Sequence, residues 1–150
     1  MIALIQRVKQ ASVSINTKLH SSIDDGLVIL LGIHINDTET DIKYLTQKIS
    51  KLRIFSDENN KMNISVKESN ASILVVSQFT LYGDCTKGNR PSFINSANGK
   101  KAEPLYDLFI SKLKEFNINV QSGQFGKIMD IKLINNGPVT LIMESKNEKN

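Results

Sequence analysis

Two uninterrupted apolar runs constrain this chain more than any other feature. Leu27-Val28-Ile29-Leu30-Leu31-Gly32-Ile33 follows Gly26, and Ile73-Leu74-Val75-Val76 leads into Ser77-Gln78-Phe79. A strand with one wet face alternates apolar and polar side chains, so runs like these belong to strands buried on both faces. Both fall well short of the roughly 20 apolar residues that cross a bilayer. The rest of the chain must therefore cover two sides of a sheet. Its 150 residues fit one domain, spanning 1–150, and a chain of this size buries roughly 70% of its unfolded surface.

The covering elements are legible from periodicity. Ile2 to Val8 reads as a first strand and Ser12 to Asn16 as a second, with Leu19 to Ile23 pairing back after a turn near Asn16-Thr17. Ile42, Leu45, Ile49 and Leu52 fall at helical spacing behind Thr38 and Asp41, which predicts a capped helix over 39–52. Arg53 to Phe55 and Met62 to Val66 read as short extended pieces around an Asp57–Asn60 turn. Gly83 to about Lys101 reads as a long irregular loop. Leu105, Leu108, Phe109, Leu113 and Phe116 mark a second helix over 102–116, with Pro104 placed in its first turn. Ile118–Gln121, Ile128–Ile134 and Val139–Glu144 read as closing strands, and the polar end from Ser145 to Asn150 as frayed. The fold class is α/β: one compact domain of mixed β-sheet, two helices on one face and further strands on the other.

Composition removes several kinds of chemistry. Cys85 is the only cysteine, which excludes an intrachain disulfide and a Cys-rich zinc site. His20 and His34 stand in no metal-like spacing, and no phosphate-binding glycine loop or HExxH helix occurs, so neither metal nor cofactor is expected. Met1 to Arg7 has no basic stretch ahead of a long apolar one, so it does not read as a signal peptide, and a cytoplasmic protein is the expectation. Nineteen Lys and Arg against 15 Asp and Glu give a net charge of +4, a mild excess compatible with an anionic partner.

Three places carry polar groups where chemistry is plausible. Ser77-Gln78-Phe79-Thr80 ends a buried strand, where α/β folds present reactive groups and free backbone N–H groups can stabilise an oxyanion. The same hydroxyls serve equally well to satisfy turn backbone. Asn135-Asn136-Gly137-Pro138-Val139-Thr140 joins two apolar segments; it reads as a turn, or as a cis Gly-Pro whose carbonyls form a side-chain-free acceptor for an ammonium group. Cys85 to Pro91 is a polar loop whose Lys87 and Arg90 either contact phosphate or face solvent. Arg7 is either an edge-strand charge or a holder of another loop.

These segments together resemble the D-aminoacyl-tRNA deacylase family. The resemblance runs from residue 1 to about 144 through Ile5 to Val13, Leu52 to Phe55, Lys61-Met62-Asn63, Ser77 to Tyr82, Arg90 to Phe93 and Asn135 to Thr140. It implies a homodimer with active sites at the interface and hydrolysis of the ester between a D-amino acid and tRNA, with glycine, including glycine mischarged on tRNA-Ala, also accepted. It implies that Ser77, Gln78, Phe79 and Thr80 line one side of the catalytic pocket. Gly137 and Pro138 of the other subunit would face the α-amino group and reject L-residues, with Asn135, Thr140 and Arg7 in support. Lys87 and Arg90 would contact tRNA, and neither a membrane nor DNA is an expected partner. Threonine has no evident base here, so attack by water with N–H groups near Phe79 and Thr80 holding the oxyanion is the expected route. A non-catalytic nucleic-acid-binding protein on the same fold is the alternative.

Overall fold

The computed structural model describes residues 1–145. Its longest strands are β1 (Ile2–Ile15) and β8 (Asp130–Glu144), which pair antiparallel from Ile2 opposite Glu144 to Ser14 opposite Asp130. Between them in sequence come β2 (Lys18–Ile23), β3 (Gly26–Gly32), α1 (Glu39–Ser50), β4 (Arg53–Ser56), β5 (Met62–Ser65), β6 (Ser72–Ser77), α2 (Gly99–Lys114) and β7 (Val120–Ser122). The strand order is β2-β1-β3-β6-β7, with β8 against β1; β4 and β5 form a separate hairpin. β1 runs antiparallel to β2, β3 and β8, whereas β3, β6 and β7 run parallel to one another.

The first strand is one element where two were expected. Its register against β8 slips between Gln6 and Val8 and again between Val8 and Gln10. Bulges of this kind bend and twist a strand without ending it. They also move its buried side chains from one face to the other. Ala3 and Ile5 join a core beneath the helices, whereas Val8, Ala11 and Val13 join a second core on the opposite face. The same bulges explain why β8 is one strand instead of the two segments expected at 128–134 and 139–144.

β3 and β6 divide their side chains between these two cores, as continuous apolar runs require. Leu27, Ile29, Leu31, Ile73 and Val75 face the helices; Val28, Leu74 and Val76 face away from them. α1 brings Ile42, Leu45 and Ile49 to the first core, and α2 brings Tyr106, Phe109 and Leu113. The second core is closed by the curled halves of β1 and β8 and by β2, whose Ser21 hydroxyl donates to the Ser122 carbonyl at 2.8 Å. Two helices therefore lie on one face of a mixed α/β sheet.

Boundaries moved where local hydrogen bonds act. In α1, Thr38 N–H donates to the Asp41 carboxylate at 2.8 Å, the expected cap, but the helix ends at Ser50. The Asn98 side chain accepts from Lys101 N–H at 3.1 Å and starts α2 at Gly99. Pro104 therefore sits beyond the first turn, inside the helix. Ser145 is held, not frayed: its N–H donates to the Met1 carbonyl and its hydroxyl to Asp41. The remainder of the expected frayed end, 146–150, lies outside the described residues. Among the described residues no helix is long and apolar enough to cross a membrane.

Gly26 marks where β3 must approach β6. A Cβ there would lie 2.1 Å from the Ser72 carbonyl oxygen, which is backbone and cannot swing away. Gly26→Ala should lower stability by about 1–3 kcal/mol, as overpacking does. Urea unfolding measures it; an unchanged midpoint would show that the strands can separate freely.

Candidate active site

β6 ends beside β3, with Ser77 in register with Leu31 and Gln78 N–H donating to the Leu31 carbonyl at 2.8 Å. The chain then tightens into a single 3₁₀ turn, Phe79–Tyr82. Gly32 permits this, because a Cβ there would come within 3.3 Å of the Gln78 carbonyl and 3.1 Å of Leu81. Leu81 N–H returns to the Gln78 carbonyl and Gly83 N–H to Thr80. The N–H groups of Phe79 and Thr80 have no acceptor among the described residues. They are the unsatisfied donors that open any helical turn. Thr80 is exposed, and its hydroxyl accepts a hydrogen bond from the Gln78 side-chain amide.

A cleft of about 650 Å³ opens beside this turn. Ser77, Gln78 and Phe79 form one side; Phe93, Phe125 and Met129 are among the residues facing them. Phe79 and Phe93 meet edge to face at 5.1 Å. Backbone hydrogen bonds between Asp84 and Ser92 close the loop that delivers Phe93. Thr86 donates to the Asp84 carboxylate, which holds that carboxyl below its ordinary pKa. Tyr106 backs Phe125 at 5.8 Å between ring centres, and its hydroxyl donates to the buried Val75 carbonyl at 2.8 Å. Burial, with a contribution from Asp107, pushes the Tyr106 phenol well above its usual pKa, so it remains a neutral donor.

The Gly-Pro segment lies elsewhere on the molecule. β8 leaves the ladder between Asn135, opposite Val8, and Thr140, opposite Gln6. Gly137 and Pro138 stand exposed on this excursion, joined by a cis peptide, with Gly137 at φ +130°. The neighbouring side chains brace it. Arg7 Nε donates to the Asn136 carbonyl at 3.1 Å, and Arg7 Nη1 to the Ile54 carbonyl at 2.6 Å. Asn135 accepts from Val139 N–H at 2.8 Å and donates to the Thr140 hydroxyl at 2.8 Å; Gln6 adds a bond to Thr140 at 3.2 Å. Arg7, Asn135 and Thr140 therefore shape this segment from within.

One chain does not bring the two motifs together. The braced segment sits at the level of Arg7, which pairs with Leu27; Ser77 sits at the level of Leu31 and Ala3. That is four residues along the strands, about 13 Å, and three strand spacings across, about 14 Å. Lys87 and Arg90 are exposed on the loop before Phe93, and no ion pair holds either among the described residues. Phe125 and Met129 were not singled out in the sequence. The one available signal was Gly123-Gln124-Phe125-Gly126, an aromatic side chain between two glycines just before an apolar strand.

Free backbone donors at a strand end beside a cleft with aromatic lining can hold an oxyanion during acyl transfer. The family model for D-Tyr-tRNA(Tyr) deacylase matches residues 4–144. The D-aminoacyl-tRNA deacylase of Halalkalibacterium halodurans is 52% identical over 97% of this chain and 100% of its own length. That of Finegoldia magna is 53% identical over 99% of this chain and 100% of its own. Among solved structures, one described as c-Myc DNA Unwinding Element Binding Protein superposes with a TM-score of 0.91 at 37% identity, covering 97% of this chain and 99% of that one. A probable eukaryotic D-amino acid tRNA deacylase shares the fold at TM-score 0.84 and 18% identity, covering 95% and 98%. This chain belongs to the D-Tyr-tRNA(Tyr) deacylase family.

Arg7 is the test of how the exposed segment is held. Arg7→Met removes both charged donors and leaves the Ile54 and Asn136 carbonyls unpaired, which should cost about 2–4 kcal/mol of stability. Urea unfolding checks this, and a loss below about 0.5 kcal/mol would show that water replaces the guanidinium at no cost.

Proposed function

We propose that this chain, a D-aminoacyl-tRNA deacylase by family, works as a homodimer in which each active site is built from both copies. The observation that carries this reading is the separation of the two motifs within one chain. The Gly137-Pro138 segment of one subunit reaches the cleft beside Ser77–Thr80 of its partner. The surface of β8 favours such pairing: among the described residues it is bonded to β1 on one edge only, and it exposes Ile134, Leu141 and Ile142. Unpaired strand edges and exposed apolar side chains are what association buries.

In this arrangement the terminal adenosine of tRNA occupies the cleft, with its base against Phe125. The Gly137 and Pro138 carbonyls receive the α-ammonium group, and the braced backbone leaves no room for an L side chain. A D side chain points away into solvent. Glycine has no side chain to reject, so glycyl-tRNA, including glycine mischarged on tRNA-Ala, is also a substrate. Arg7, Asn135 and Thr140 position the carbonyls. The Phe79 and Thr80 N–H groups receive the carbonyl oxygen as it becomes an oxyanion. Water attacks the carbonyl carbon, the ester C–O bond breaks, and the ribose oxygen takes a proton, assisted by the neighbouring 2′-OH. Lys87 and Arg90 contact the phosphate backbone, and the reaction belongs in the cytoplasm, where charged tRNA is used.

Purified protein mixed with D-tyrosyl-tRNA and L-tyrosyl-tRNA tests the reading directly. Rapid release of D-tyrosine with L-tyrosyl-tRNA left intact is expected. Equal release from both would refute the clamp. A 37%-identical structure is described as a DNA-element-binding protein, which favours one second reading, a nucleic-acid-binding role. Salt-sensitive affinity for duplex DNA with neither ester hydrolysed would establish it.

The water route makes its own demand on Thr80. Thr80→Ala keeps the backbone N–H and should retain activity within about tenfold of the parent, whereas losing a true nucleophile costs about 10⁴ or more. Single-turnover deacylation separates the two, and a loss of the larger size in a folded, tRNA-binding variant would restore the hydroxyl as nucleophile.

A further inference from the structure

Among the described residues that line the cleft beside Phe79, Lys127 is the one with a charged side chain, and the function described so far does not use it. Lys127 is exposed and makes no ion pair among the described residues. It closes a turn in which its N–H donates to the Gln124 carbonyl at 3.3 Å. Gly126 precedes it at φ +72°, and a Cβ there would meet nothing within 4 Å. This turn therefore offers backbone without bulk, followed by an unpaired ammonium at the end of a flexible stem. The remaining lining consists of apolar or uncharged side chains such as Leu31, Val76, Ser77 and Phe93. A lone cation in a neutral cleft complements a ligand with one negative charge near an otherwise neutral body.

We propose that Lys127 binds the 5′-phosphate of the terminal nucleotide of the tRNA substrate. The inference rests on the deacylase reading above. With the ester at Ser77–Thr80 and the adenine against Phe125, the remaining end of the nucleoside is its 5′ side. The phosphate there is the nearest anion that the substrate possesses. An ammonium on a flexible stem suits it as a point charge, without the fixed geometry of a guanidinium. Lys127 thus supplies uniform binding: it holds the phosphate equally before and during reaction and does not touch the ester.

The contact is read without chemistry by titrating the intact protein with adenosine and with adenosine 5′-monophosphate, following amide shifts by NMR. The parent protein should bind the monophosphate about fivefold more tightly than the nucleoside, a preference that falls as salt rises. Lys127→Gln should bind both equally, and Lys127→Arg should keep most of the preference. In steady-state hydrolysis of D-tyrosyl-tRNA, Lys127→Gln should raise KM about fivefold, with kcat held. Equal binding of the two ligands by the parent, or an undiminished preference in Lys127→Gln, overturns the proposal. A parent protein that hydrolyses no D-tyrosyl-tRNA overturns the functional reading instead, and the nucleotide comparison still decides the phosphate contact.

Discussion

Because β1 and β8 pair along nearly their whole length, a segment of β8 can leave the ladder only where the register slips, and the slips at Gln6/Val8 and Val8/Gln10 set that place. The same slips send Ala3 and Ile5 to one core and Val8, Ala11 and Val13 to the other. One irregularity in a strand pair thus serves two ends. It lets a single strand line both hydrophobic cores, and it lifts Gly137 and Pro138 out of the sheet. Arg7 sits at that slip and is 9% exposed, bonded to carbonyls from two other parts of the chain. The exposed segment is thereby tied to the core through the Arg7 guanidinium.

The proposed site uses backbone where other hydrolases use side chains. The Phe79 and Thr80 N–H groups are free because a strand stops and a 3₁₀ turn starts there. A site of this kind suits an ester already activated by its alcohol, and it makes few demands on side-chain ionisation. The side chains around it act mainly on shape: Tyr106 behind Phe125, Phe93 against Phe79, and Asn135 and Thr140 beneath the proposed clamp.

Much of this was legible in the sequence. The apolar runs at Leu27–Ile33 and Ile73–Val76 required a sheet covered on both faces, and both strands are buried there. The periodicity around Ile42–Ile49 and Leu105–Leu113 located both helices. The ends of elements were harder to read, because single hydrogen bonds decide them. Asn98 starts α2 earlier than its apolar spacing suggests. The break read between Ile134 and Val139 is a bulge within one strand, because a Gly-Pro pair marks an interrupted ladder as readily as a turn. Phe125, Met129 and Lys127 carried little signal, since a cleft formed by distant segments leaves no spacing in the sequence. The separation of the two motifs is implied by the family resemblance alone; no spacing in the sequence encodes it, because it follows from strand register, which only the folded chain defines.

The central claim is that a working site needs two chains, and mixing two crippled variants tests it most directly. Phe79→Pro deletes one of the free N–H groups; Gly137→Ala puts a Cβ 2.9 Å from Val139 Cγ2 and 3.0 Å from Arg7 Nη2. Each variant alone should hydrolyse D-tyrosyl-tRNA poorly. After the two are unfolded together and refolded as an equal mixture, random pairing leaves about a quarter of the sites with both halves intact, and activity should recover to about that fraction of the parent's. Recovery to that level is the predicted result. A mixture no more active than the average of its two components would contradict a site shared between subunits.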